Sequence, residues 1–221
     1  PHVIIGCAAI DSLCTLTLTA GDQLYFSNQA MLIVWNGATL HVQGSPDQPV
    51  LFTSLRHDGW YDTLPGQWNY LWLYQGSRNN VIDWAVIENA NIGILVDTCV
   101  TPSPTSTITN TRLRNHYLAG ILGQGAHIEG DNLLVTNCGT ATLALQYGGR
   151  YRFRNSTFAD YWRYVGNARK NPHIILNNHY EVGTTSYPRP LDLVEFDNCI
   201  IEGNYGSTTD TTGEVLLDID P

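Results

Sequence analysis

The stretch from Asn79 to Val96, NNVIDWAVIENANIGILV, decides the fold. An apolar run (Val81, Ile82, Ala85, Val86, Ile87) ends at a polar Glu88-Asn89 corner, and a second run, Ile92 to Val96, follows almost at once. The stretch reads as one coil of a repeating structure. The plan recurs where Ile108 to Asn115 leads to Gly120-Ile-Leu122, and where Asn132 to Cys138 leads to Thr142 to Leu145. Equivalent residues step from Ile87 to Leu113, Val135 and Phe158, at spacings of 26, 22 and 23. Such a period, built from short strands with no room for a long helix, predicts a solenoid. The expectation is an all-β, right-handed parallel β-helix with coils of roughly 22–26 residues and protruding loops.

Composition agrees. Only 14% of the 221 residues are charged, well below the usual quarter. Stacked strands suit the many Thr, Asn and Gly, which serve the strands and their turns. A net charge of −9 argues against nucleic acid, which needs a basic surface. No run approaches the ~18 apolar residues of a membrane span. The chain opens abruptly on Pro1-His-Val and ends on a strand-like Glu214 to Pro221, which reads as a piece of a longer protein. One β-helix domain covers 1–221: opening coils 1–54, a loop at 55–67, regular coils 68–160 and irregular later coils 161–221. Further loops are expected at 97–107, from Tyr161 to Pro172, and at 203–213.

Two surface features stand out. On a strand, Trp68, Tyr70, Trp72 and Tyr74 share one side while Leu71 and Leu73 share the other. With the leucines inside, the aromatics form an outer stripe suited to sugar rings or a protein partner, unless the 55–67 loop folds over it. Six of the eleven basic residues, Arg150, Arg152, Arg154, Arg163, Arg169 and Lys170, fall within 21 positions whose one acid is Asp160. That patch could hold an anionic glycan or an acidic partner, unless Asp131 and Glu195 on neighbouring coils offset it. Cys7, Cys14, Cys99, Cys138 and Cys199 lack zinc-site spacing. Thr-Asn-Cys138 and Asp-Asn-Cys199 suggest one recurring buried position, and a Cys7–Cys14 bridge stays open.

Leu16-Thr-Leu, Ala20-Gly, Leu24-Tyr-Phe26, Gly37-Ala-Thr-Leu40, Gly44 and Pro65-Gly-Gln-Trp68 mark a family pattern. Asn79-Asn80, Asn89 with Gly93-Ile94, Gly148-Gly149-Arg-Tyr151, Asn155-Ser-Thr157, Tyr161-Trp162 and Leu176-Asn-Asn178 continue it. Over most of residues 1 to 200 the chain resembles Bacteroidetes cell-surface lipoproteins with a pectate-lyase-like right-handed β-helix. The resemblance implies an outer-membrane protein facing outward, anchored by a lipid on a segment before Pro1.

No lyase or hydrolase motif accompanies it. Clustered carboxylates for Ca²⁺ beside a base are missing, and so are the opposed-carboxylate patterns of polygalacturonases. Asp192, Glu195 and Asp197 lie close in sequence, and Glu195 and Asp197 share a strand face. The expected function is a non-catalytic surface scaffold or binding module, with no cofactor and no metal. Its partner would be an outer-membrane protein complex or a surface polysaccharide. The alternative is a polysaccharide lyase or glycoside hydrolase acting on an anionic glycan, with the arginines facing a groove.

Overall fold

A computed structural model describes residues 1–56, 58–98, 104–162, 169, 171–205 and 213–220. The chain is a parallel β-helix of three sheets. The first holds His2–Ile4, Gln23–Phe26, Val50–Ser54, Ala85–Glu88, Arg112–His116, Leu134–Cys138, Thr157–Asp160 and Ile200–Gly203. In the second lie Cys7–Ile10, Met31–Val34, Leu71–Leu73, Ile92–Val96, Ala119–Gln124, Ala141–Gln146, Ile174–Asn177 and Val215–Asp218. The third takes Thr15–Thr19, Thr39–Gln43, Asn80–Asp83, Ser106–Thr109, His127–Asp131, Gly149–Arg154 and Leu191–Asp197. Each coil visits the three in the same order.

The register read from the repeats is the one observed. Ile87 pairs with Leu113, Leu113 with Val135, and Val135 with Phe158, all fully buried. The deciding stretch spans one coil, but its first apolar run is two strands. Trp84, at φ 51°, turns the chain between them.

Asparagine makes the corners. Of the twelve described non-glycine residues with positive φ, eight are Asn, because its short amide tolerates the left-handed region. Stacked corners then bond one another. Asn132 donates to Asn110 Oδ1 at 2.8 Å, Asn198 to Asn155 Oδ1 at 2.7 Å and Asn137 to Asn115 Oδ1 at 2.5 Å. Side-chain size is traded along the inner rows. A Cβ on Gly130 would lie 2.6 Å from Phe153, which fills that space and meets Phe158 edge-on and Phe196 stacked, each at 5.5 Å.

The insertions depart from the expected loops in detail. Residues 55–67 contain a 3-10 turn, Gly59–Thr63, and fold back onto the corner at Asn89-Ala90. Gln67 Nε2 donates to the carbonyls of Tyr61 (2.6 Å) and Leu64 (2.9 Å), and Asn89 Nδ2 to that of Asp62 (3.0 Å). Between the strands Ile174–Asn177 and Leu191–Asp197 stands an antiparallel hairpin, His179–Val182 with Thr185–Pro188. Cys138 and Cys199 do not share a coil position. The Asn before Cys138 turns from the first sheet to the second, and the Asn before Cys199 turns from the third to the first. Cys7, Cys14, Cys138 and Cys199 are free thiols, and Cys99 lies outside the described residues.

Candidate functional site

The expected aromatic stripe is split. Trp68 is fully buried: its ring stacks on Phe26 at 4.1 Å, its Nε1 donates to the Glu88 carbonyl at 2.8 Å, and its backbone bridges to Ala90. Strand alternation holds only for Leu71–Leu73, and Trp68 lies before that strand, at a corner where the parity slips. Tyr70, Trp72 and Tyr74 stay outward and part-exposed, and the 55–67 loop does not bury them.

They join Trp35, stacked on Tyr74 at 4.4 Å, while Trp72 meets Tyr70 at 5.7 Å and Tyr74 at 5.1 Å edge-on. Trp72 Nε1 donates to Asp97 Oδ2 at 2.9 Å, which fixes the indole. Burial pushes the Asp97 carboxyl above its usual range, against that bond.

Trp72 belongs to a longer feature. In register across the outer side of the second sheet stand Ala9, Ile33, Trp72, Leu95, Leu122, Ala144, Ile175 and Leu216. This central row crosses all eight strands without a polar side chain. Outside the main core, Ile92, Leu95 and Ala119 pack with Tyr70, Trp72 and Leu122.

The basic patch dissolves into three environments. Arg152 lies between Glu129 and Glu195, and Arg154 between Asp131 and Asp197, in register on the outer side of the third sheet. Arg152 Nε reaches Glu195 Oε2 at 2.7 Å and Arg154 Nη2 reaches Asp131 Oδ2 at 3.5 Å. Its hydrogen bond to Glu195 raises Arg152 above its ordinary range, the wrong direction for a proton-abstracting base. Arg150, exposed, stands beside His127 and Leu193. Arg163 and Lys170 lie outside the described residues.

Arg169 is not a surface charge at all. Buried beside Thr157–Asp160, it holds Glu214 in a two-pronged pair at 2.7 and 2.8 Å. Its Nε lies 3.9 Å from Asp160 Oδ2. Asp160 Oδ1 accepts the backbone N–H groups of Cys138 and Trp162, each at 3.2 Å. Burial, opposed by Arg169 and those N–H groups, raises Asp160 to about 6. For Glu214 burial pulls upward, but the Arg169 fork and the Tyr205 N–H prevail and hold it low. His173 Nδ1 sits 2.6 Å from Thr142 Oγ1, and burial lowers the ring to about 4. This network ties an inserted segment to three coils. Sequence reading missed it because Asp160 and Glu214 are far apart in the chain; the lone acid among six bases was its one visible trace.

Among the described residues no group of three or more His, Cys, Asp or Glu side chains is placed to hold a metal ion. Set against protein-family models, curated proteins and solved structures, the chain matches none.

Proposed function

We propose that this chain is a non-catalytic, surface-exposed β-helix scaffold that docks on an outer-membrane protein complex through the outer face of its second sheet. The observation that carries the reading is the uncharged row from Ala9 to Leu216. A solvated sheet face ordinarily alternates to polar side chains; here Ile33, Leu95 and Ala144 are buried among their neighbours, and the apolar surface left to a partner comes from Trp72, Leu122, Ile175 and Leu216. That surface is pre-ordered by its in-register strands, so little side-chain entropy is lost when a partner covers it. The outer-membrane setting and a lipid anchor rest on the family resemblance.

A second reading, contact with a surface polysaccharide, draws on Trp35, Tyr70, Trp72 and Tyr74, whose part-exposed rings suit stacking on sugars. The lyase alternative loses support, because Arg152 and Arg154 are engaged by neighbouring acids.

The test is affinity isolation from the protein's own outer membrane after mild cross-linking, with the wild type and a Leu122→Arg variant. A stoichiometric partner cross-linked to the second sheet and lost from the variant is the expected result. Equal recovery with both proteins, or cross-links confined to another face, sinks the docking reading.

A further inference from the structure

A cleft of about 800 Å3 runs along the corner between the second and third sheets. Gln75, Thr98, Gly125 and Tyr147 line it on successive coils, and Tyr180, Glu181, Arg189 and Asp192 close its far end. Those four coils are three steps apart, at about 4.8 Å each, and give a trough about 14 Å long, parallel to the solenoid axis. The hairpin His179–Val182 with Thr185–Pro188 forms the end wall.

Three observations define what fits. First, the aromatic groups are tyrosines held in place. Tyr147, 38% exposed, meets Tyr180 edge-on at 6.2 Å. Tyr180 stacks on Tyr187 at 5.2 Å and lies under the Arg189 guanidinium at 5.1 Å. Second, the charged groups are exposed: Glu181, Arg189 and Asp192 make no ion pair with one another or with other described residues. Third, among the described residues the lining holds no Leu, Ile, Val, Phe or Met. A lipid or an apolar peptide side chain finds no complement there. A sugar does: its C–H face lies on a tyrosine ring and its hydroxyls meet carboxylates, an amide and a guanidinium. Two carboxylates against one guanidinium, on a chain of net charge −9, disfavour an anionic sugar.

We infer that this cleft is a binding site for a neutral oligosaccharide several rings long, laid along the solenoid axis. The inference is independent of docking through the second sheet, since Trp72 and Leu122 are not among the cleft's residues.

The test is ligand-observed NMR and calorimetry with neutral tetrasaccharides (cello-, xylo-, manno- and malto-series) and, for contrast, a uronate tetramer. The proteins are the wild type, Tyr147→Ala, Asp192→Asn and Trp72→Ala. At least one neutral series should bind, with affinity falling about tenfold in Tyr147→Ala and severalfold in Asp192→Asn. Trp72→Ala should bind as the wild type does, and the uronate more weakly. Asp192→Asn changes charge without bulk on an exposed side chain, so it reports on the cleft even if the tyrosine variant misfolds. Absence of binding by every neutral series at millimolar concentration overturns the inference. So does tighter binding of the uronate, or affinity indifferent to both cleft variants. Loss in Trp72→Ala alone would place the sugar on the second sheet instead.

Discussion

The outer sides of the second and third sheets have the same geometry and opposite chemistry. Both are in-register parallel rows repeating about every 4.8 Å, so each side chain meets its counterparts above and below. Apolar side chains can follow one another without limit, as from Ile33 to Ile175. Like charges cannot, and the third sheet accordingly alternates Glu129–Arg152–Glu195 and Asp131–Arg154–Asp197. A charged row therefore satisfies itself, whereas the part-exposed members of the apolar row, Trp72, Leu122 and Ile175, remain available to something else. Arg152, Arg154 and Arg169, close in sequence to one another, are thus each matched by acids from other coils, while a scatter of Leu, Ile, Ala and Trp lines up in one row.

If the charged ladders held the fold, acid would act by titrating their exposed carboxylates. Acid sensitivity should instead come from the interior. His116 is fully buried near the carbonyls of Ile87 and Ala90 without a well-formed hydrogen bond, and burial pushes it to about 3. The unfolded ring takes up its proton near 6.5 and the folded ring does not, so stability is complete above that pH and drains away on descending towards 3. At roughly 1.4 kcal/mol per pH unit, that interval is worth up to about 5 kcal/mol. His173 acts in the same direction down to about 4, and Asp160, protonated below about 6 in the fold, roughly offsets it. Urea unfolding at pH 7 and pH 4 should show a drop in the wild type and a much flatter response in His116→Leu.

The apolar row can be broken directly. Leu95, only 8% exposed, should cost about 2–4 kcal/mol when changed to Asp, through lost burial and a desolvated carboxylate. Thermal unfolding would register it. On the third sheet the inner side should outweigh the outer. Gly130→Ala forces a methyl against Phe153 and Leu133 and should cost about 1–3 kcal/mol. Glu195→Gln removes the best ion pair of the outer ladder, yet both partners are more than a third exposed, so less than about 1 kcal/mol is expected. A larger loss there than at Gly130 would reverse the ranking of the two sides.

The fold was legible because the inner rows repeat chemically: Ile87, Leu113, Val135 and Phe158 advertise their register through spacing. Corners were less legible, since alternation carries no information across a turn; Trp68 was misplaced, and the run from Val81 to Ile87 was read as one segment rather than two strands, for that reason. The Thr-Asn-Cys and Asp-Asn-Cys likeness misled because Asn serves every corner. Charge neutralisation across coils was visible in part, through Asp131 and Glu195. The buried Arg169 pair and the corner cleft were not, because inserted segments assemble them from residues far apart in the chain.

The most direct measurement is hydroxyl-radical footprinting of the protein in its native membrane against the isolated protein. If the second sheet is the docking face, oxidation of Tyr70, Trp72 and Tyr74 falls severalfold in the membrane. Trp60, 71% exposed on the 3-10 turn, keeps its rate as the internal control. Equal oxidation of Trp72 and Tyr74 in both preparations would contradict the account.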